Sequence, residues 1–292
     1  MLKKHQPPLP VEEQIENLKS LGCIIENEEE AKLFLNQISY FRLIKGYGFS
    51  LKEKNSNFNK GVTFENIKGL YLFNAKFRHL LFPEVEKVEI NLRCKISNYF
   101  SCKYGVLGYK NPSNFQNENY HKTLLNDLEY EISRNNKSPF VKNFTENYEG
   151  GELPLYAAVE LFSFGTLSKF FRNMKSEDKK AIAKQYNLTY TYLESWLEHL
   201  AYVRNICAHY SRLYNAKFTK TPDLYNDYKK RGIGNQRAYA TLICLKHLLP
   251  NNTHWTKFVH EIEDLLSTFP CVKIEHLGFP AEKWKEYLLK EI

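Results

Sequence analysis

The sequence predicts an all-α protein, a helical bundle with additional helices at both ends, on three observations. Apolar residues recur at spacings of three and four through most of the chain. Alternation with period two is sustained nowhere, and the breaks between periodic stretches carry Asn, Gly and Pro. With 292 residues, 43% of them hydrophobic and 15% aromatic, the chain can close a core without disulfide or metal staples, which excludes disordered and fibrous architectures.

The elements follow in order. Val11, Ile15 and Leu18 lead to a stop at Gly22, and Asn27 suits the cap of a second short helix carrying Leu33, Phe34 and Ile38. Residues 39–61 mix Tyr40, Phe41, Tyr47 and Phe49 with three glycines and are expected to form an ordered aromatic loop. Thr63 caps a helix through Phe64, Ile67, Leu70, Phe77 and Leu81, with Pro83 marking a kink or a restart before Val85, Val88, Leu92, Ile96 and Phe100. Helical spacing continues over 120–132, 155–164, 166–174, 176–186, 190 to about 209, 235–249 and 253–269, and a short segment around Trp284 closes the chain. The polar breaks are 111–119, 135–151 and 219–234. Three regions result: N-terminal helices and aromatic loop over 1–62, a central bundle over 63–218, and a basic loop with C-terminal helices over 219–292, all expected in one globular unit.

Composition narrows the function. Lys and Arg number 41 against 33 Asp and Glu, a net +8 that makes nucleic acid a reasonable partner. The six cysteines are scattered without a C-x-x-C pair, as in a reduced intracellular protein with mostly buried thiols. The N-terminus is Pro-rich and acidic where a secretory signal would be apolar, and no window approaches ~18 uninterrupted apolar residues, so a soluble cytoplasmic protein without a membrane span is expected. There is no G-x-x-x-x-G-K-[ST], no G-x-G-x-x-G after a strand, no G-x-S-x-G and no H-E-x-x-H. P-loop enzymes, dehydrogenases, hydrolases of the elbow type and zincins are thereby excluded, and no metal or cofactor is expected.

One segment stands out, the RNICAHYSRLYN of 204–215 at the end of the most strongly patterned helix. Tyr192, Trp196, Leu200, Val203 and Cys207 form a core-facing stripe, and off it sit Arg204, Asn205 and His209. Asn205 and His209 are four apart and so about 40° apart around the helix. With nine arginines and nine histidines in the chain, an Arg followed by a His four to six positions later arises about once by chance. Requiring Asn directly after the Arg makes the pattern about tenfold rarer. Arg134-Asn135 and Arg172-Asn173 have no such histidine.

Arg204-Asn205-x-x-x-His209 resembles the R-polar-x-x-x-H signature of the HEPN ribonuclease superfamily, helical bundles that cleave RNA without metal. With ISYFRLIKGY (38–47), LYLFNAKFRHLL (70–81), VEINLR (88–93) and LPLYAAVELFSFGTLS (153–168), the motifs come in the order of the Abi proteins, bacterial abortive-infection proteins of the AbiD/AbiF type, over about residues 15–290. Tyr156 and Tyr214 stand where that family often has Trp. The resemblance implies a HEPN-like bundle and an anti-phage toxin acting on RNA, in some relatives restrained by a small partner RNA. It implies Arg204, Asn205 and His209 as catalytic residues, with Tyr210, Arg212, Asn215 and Glu160 supporting them.

The residue chemistry agrees with that implication. A histidine can move a proton near neutral pH and a guanidinium can grip a phosphate through two hydrogen bonds. One Arg-His set supplies one proton carrier where two are needed, so a homodimer is expected. From Arg212 to Lys246 eight cations face only Asp223 and Asp227, a net +6, interleaved with Tyr214, Phe218, Tyr225, Tyr228 and Tyr239. Lys217, Lys220, Lys229, Lys230, Arg231 and Arg237 are therefore candidates for RNA contact, with the aromatic rings stacking on unpaired bases. Arg42 either binds phosphate or stacks on its neighbours, and Glu89 and Glu160 are candidate partners of Arg93 or Arg204. His199, further back on the helix, is expected at a surface or interface. Ser163, Gly165 and Thr166 read as a helix break and cap. An alternative function is an RNA-binding module that holds a small non-coding RNA without cutting it.

Overall fold

The computed structural model describes residues 7–250, 253–281 and 283–290, so residues 1–6, which open the stretch weighed above as a signal sequence, lie outside it. The all-α expectation holds: among the described residues there is no strand, only isolated bridges such as Ile24 with Thr63. Helix α1 (Val11–Ser20) and α2 (Glu28–Gln37) open the chain, and the Asn27 side chain accepts the Glu30 amide at 3.1 Å as the N-cap of α2. The aromatic loop contains a π-helical turn, Phe41–Lys45, and a 3₁₀ turn, Gly48–Leu51. Gly46 ends the π turn, where a Cβ would collide with the carbonyl oxygen of Arg42.

Helix α3 (Phe64–Tyr104) starts at a reciprocal cap, the Thr63 hydroxyl accepting the Asn66 amide at 3.1 Å and the Asn66 side chain accepting the Thr63 amide at 3.0 Å. It then runs 41 residues without interruption, so Pro83 neither restarts nor ends it. An interior proline removes one backbone hydrogen bond at a cost of about 3 kcal/mol. Here its ring faces solvent while Leu81, Glu84 and Val85 on either side are buried, and that burial keeps the helix continuous through it.

Next come α4 (Glu118–Arg134), α5 (Pro139–Asn147), and α6 (Leu155–Ala158) extended by a 3₁₀ turn, Val159–Leu161. Helix α5 lies inside a stretch expected to be a polar break: Pro139 occupies its first turn and Val141 is buried. The expected helix over 155–164 is shorter, because Phe162 turns to extended backbone. Ser163 then caps α7 (Phe164–Asn173), its hydroxyl accepting the Thr166 amide at 3.1 Å, as the break-and-cap reading requires.

Helices α8 (Ser176–Lys184) and α9 (Tyr190–Ala208) follow, then a short α10 (Asn226–Lys230) within the expected basic loop. Helix α11 (Ala238–Leu248), α12 (Thr253–Thr268), a 3₁₀ turn at Ile274–Leu277 and α13 (Trp284–Leu289) complete the chain. Helix α9 packs against α3, α7, α8 and α11, and α12 covers a further part of α3. Helix α11 buries residues around its whole circumference, Ala238 to Cys244 among them, and so lies inside the bundle. One hydrophobic core runs through Ile15, Leu92, Leu200, Leu245 and Leu288.

Candidate functional site

The core stripe of α9 orients the end of that helix. Trp196, Leu200, Val203 and Cys207 are buried, which leaves Arg204 half-buried on the flank of the stripe, Asn205 on the opposite side and His209 just beyond the last turn. Asn205 accepts the His209 amide through its carbonyl at 3.0 Å and faces the Arg204 guanidinium through its side chain at 3.5 Å. His209 is exposed, and among the described residues its imidazole makes no hydrogen bond.

The acid beneath Arg204 is Glu89 of α3, whose Oε2 lies 3.6 Å from Arg204 Nε. Its other oxygen receives Arg93 Nη2 at 2.5 Å, and Arg93 in turn donates to the carbonyls of Val159 and Phe162, the latter at 2.6 Å. Glu89 is buried, so two guanidinium groups hold one carboxylate at the foot of the site. Of the two acids weighed from the sequence, Glu89 takes this part. Glu160 is exposed on the 3₁₀ turn, and among the described residues it forms no ion pair with Arg204 or Arg93.

Past His209 the chain turns sharply. Tyr210 has φ 55° and Asn215 φ 50°, both left-handed, which is strained for a bulky residue such as Tyr210. Distant side chains lock the turn. Arg42 Nη1 donates to the Tyr210 carbonyl at 3.0 Å and Arg78 Nη1 to the Ser211 carbonyl at 3.1 Å. Asn74 Oδ1 accepts the amides of both Leu213 and Tyr214, at 2.8 and 2.9 Å. Arg212 donates to the Gly46 carbonyl and lies over the Phe49 ring, and burial lowers its pKa. Arg237 Nη1 closes the far end on Asn215 Oδ1 at 3.1 Å and the His276 carbonyl at 2.7 Å. Asn74 and Arg78 were not singled out in the sequence. Their spacing of four on α3 hints at a shared face, but their partners lie more than 130 positions away.

The basic segment differs from expectation in its rings. Tyr214, Phe218, Tyr228 and Tyr239 are buried and Tyr225 packs on Tyr192, Trp196 and His247, so these aromatics build the core instead of a stacking platform. Tyr214 reaches His276 Nδ1 at 2.9 Å through its hydroxyl. Of the cations, Arg237 is spent on the turn, Lys246 is buried against the carbonyls of Tyr287 and Lys290, and Lys220 pairs with Glu198 at 2.7 Å. Lys217, Lys229, Lys230 and Arg231 remain exposed, Arg231 over the Tyr287 ring.

His199, expected at a surface or interface, is fully buried within the chain instead. Its Nδ1 meets the Lys220 carbonyl at 2.7 Å and its Nε2 the Thr241 hydroxyl at 2.9 Å, and burial pulls its pKa down to about 4. The cysteines divide: Cys23, Cys207 and Cys244 are buried, whereas Cys94 and Cys102 are exposed.

Among the described residues no group of three or more His, Cys, Asp or Glu side chains is placed to hold a metal ion, and no helix is long and apolar enough to cross a membrane. The family model described as Abi-like protein matches residues 33–215, more than half of the chain, from within α2 to the end of the clamped turn. No curated protein and no solved structure matches the chain.

Proposed function

The chain belongs to the Abi-like protein family, the family of abortive-infection defence, and on that premise we propose that it is a metal-independent endoribonuclease of the HEPN type, of the AbiD/AbiF kind. The observation that carries this reading is the end of α9. There an exposed imidazole with no hydrogen-bond partner among the described residues follows, by one helical turn, a guanidinium and an amide that face each other at 3.5 Å.

In the proposed reaction the ribose 2′-oxygen attacks the adjacent phosphorus and the bond from phosphorus to the 5′-oxygen breaks, leaving a 2′,3′-cyclic phosphate. The 2′-hydroxyl proton passes to a base and the 5′-oxygen takes a proton from an acid. His209 fills one of these two roles. Arg204, with Glu89 behind it and Asn205 at its side, lends positive charge to the phosphorane oxygens as they gain negative charge. The second proton carrier comes from a second chain, which makes the working unit a homodimer. Lys217, Lys229 and Lys230 supply non-specific attraction for the strand, and a small non-coding RNA is a candidate restraining partner.

The test is cleavage of an unstructured RNA with EDTA present. The expected products carry 2′,3′-cyclic phosphate ends, and His209→Ala abolishes them while the helical circular-dichroism signal and melting temperature persist, since the imidazole makes no internal hydrogen bond. A requirement for Mg²⁺, or undiminished activity of the variant, defeats the reading. RNA bound firmly yet left uncut by the unmodified chain would instead establish a module that holds RNA.

A further inference from the structure

Immediately beyond His209 a groove of about 400 Å³ opens between the π turn and the clamped turn, within the size range of ligand clefts. Phe41, Arg42 and Lys45 line one side, Tyr210 and Arg212 the other. No carboxylate lines it, and among the described residues none of the three cations forms an ion pair.

The two rings at its mouth are among the most exposed large apolar side chains of the described residues, and both border the same groove. Phe41 is 78% exposed and Tyr210 64% exposed. Among the described residues neither ring contacts another aromatic ring of the protein. Tyr210 ends α9 in a left-handed conformation, its amide reaching the Cys207 carbonyl at 3.2 Å and the Ser211 amide the Ile206 carbonyl at 2.9 Å, and Arg42 donates to its carbonyl. Gly or Asn usually fills that helix-ending position, so an exposed tyrosine there carries strain that burial in the core does not offset. The Phe41 ring rides on a π turn, the helical irregularity most often met at functional sites.

We infer that this groove is the seat of an unpaired nucleotide of RNA next to the cleaved bond: the base stacks on Phe41 or Tyr210 while its phosphates lie against Lys45 and the free faces of Arg42 and Arg212. For its ligand the inference rests on the ribonuclease reading above. Free π faces beside unpaired cations suit single strands of any sequence, because every base offers a face and the backbone a charge. Paired bases keep their faces within the stack, so the groove selects unpaired RNA over duplex. It also moves the principal RNA path away from the segment after Lys217, whose rings are buried.

The experiment measures fluorescence anisotropy of a short labelled oligouridylate, and of an RNA duplex of equal length, binding to the His209→Ala chain at several salt concentrations. Phe41→Ala and Tyr210→Asn, the latter keeping a residue that accepts left-handed backbone, are each expected to weaken single-strand binding about tenfold with an unchanged salt slope. Lys45→Gln is expected to lower the logarithmic salt slope by about 0.7. Wild-type affinity in both ring variants overturns the inference. So does equal binding of duplex and single strand, or ring variants that change only the sedimentation of the protein, which would make the groove a contact between chains. If the groove variants bind as predicted and the chain with His209 intact cuts nothing, the ribonuclease reading falls while the groove stands. If RNA is cut and the groove variants match wild type, only the groove falls.

Discussion

Arg204 Nε lies 3.6 Å from Glu89 Oε2, across the contact between α9 and α3. The Glu89 carboxylate is buried and shared with Arg93, so it fixes where the Arg204 guanidinium can point without reaching the surface itself. Glu89→Gln removes the charge that both arginines face and is expected to lower stability by about 1–3 kcal/mol. It should slow RNA cleavage through misplacement of Arg204. Arg204→Lys keeps the charge but loses the two-pronged grip, and its rate should fall about 10–100-fold with an unchanged melting temperature. Thermal melts paired with cleavage rates separate the two effects; equal melting temperatures for wild type and Glu89→Gln would show that the carboxylate bears no structural load.

Asn74 offers a sharper comparison. Its Oδ1 accepts two backbone amides of the turn, while its Nδ2 is buried and has no hydrogen-bond partner among the described residues. Asn74→Leu orphans both amides and is expected to cost about 2 kcal/mol or more and to reduce cleavage although the residue lies off the site. Asn74→Asp keeps the accepting oxygen but buries a charge in place of the stranded donor, so its stability should fall between those of wild type and the Leu variant. Urea unfolding of the two variants checks the order, and an Asp variant less stable than the Leu variant would refute it.

Stability should weaken on mild acidification. Burial lowers His199 to about 4, and burial followed by the nearby Lys246 charge lowers His247 to about 4. In the unfolded chain both titrate near ~6.5. Above that value neither form binds the proton and stability is flat. Between about 6.5 and 4 the unfolded chain binds protons the folded chain refuses, and stability falls by up to about 1.4 kcal/mol per pH unit for each histidine. Denaturant midpoints measured from pH 7 to pH 5 should show this slope, and His199→Gln should remove about half of it. A flat profile would mean that the imidazoles charge without unfolding.

The catalytic unit is expected to contain two chains, because one chain carries one His209 for a reaction with two proton transfers. Active protein should sediment as a dimer. Mixing in an excess of His209→Ala chains should depress activity below simple dilution, since mixed dimers lack one of the two groups. A monomer that cuts at the full rate excludes this arrangement.

What was legible in the sequence was the local part of this architecture. Helical periodicity located α1, α2, α9 and α12, and the side chains of Asn27, Thr63 and Ser163 cap helices as their types suggest. Helix α5 was obscured because Asn143, Asn147 and the following glycines have turn-like composition, while its burial rests on little more than Val141. The restart that Pro83 suggested is absent for the opposite reason, the proline's tendency to end a helix being overruled by packing on both sides. In the site, Arg204, Asn205 and His209 are contiguous enough to be seen along one helix end. The clamps are not: Arg42 meets Tyr210 across 168 positions, and His199 is buried by groups from Lys220 and Thr241. No spacing rule reaches such pairs, and the fate of the tyrosines after Tyr214 depends on the same tertiary contacts.

Arg78 grips the carbonyl of Ser211 and Glu89 meets Arg204, so positions rise along α3 as they fall along α9 and the two helices run antiparallel. The two contacts lie eleven residues apart on α3. Eleven residues make about three turns and bring Glu89 back to within roughly 20° of Arg78 around the axis, some 16 Å further on. One residue inserted between them would swing Glu89 by about 100° and detach it from Arg204 with Arg78 still in place. An insertion of seven would nearly restore the angle but overshoot by about 10 Å. Single substitutions in this stretch can be absorbed by repacking; a change of length cannot, because it breaks the reach or the phase of a gauge cut to the separation of Ser211 and Arg204.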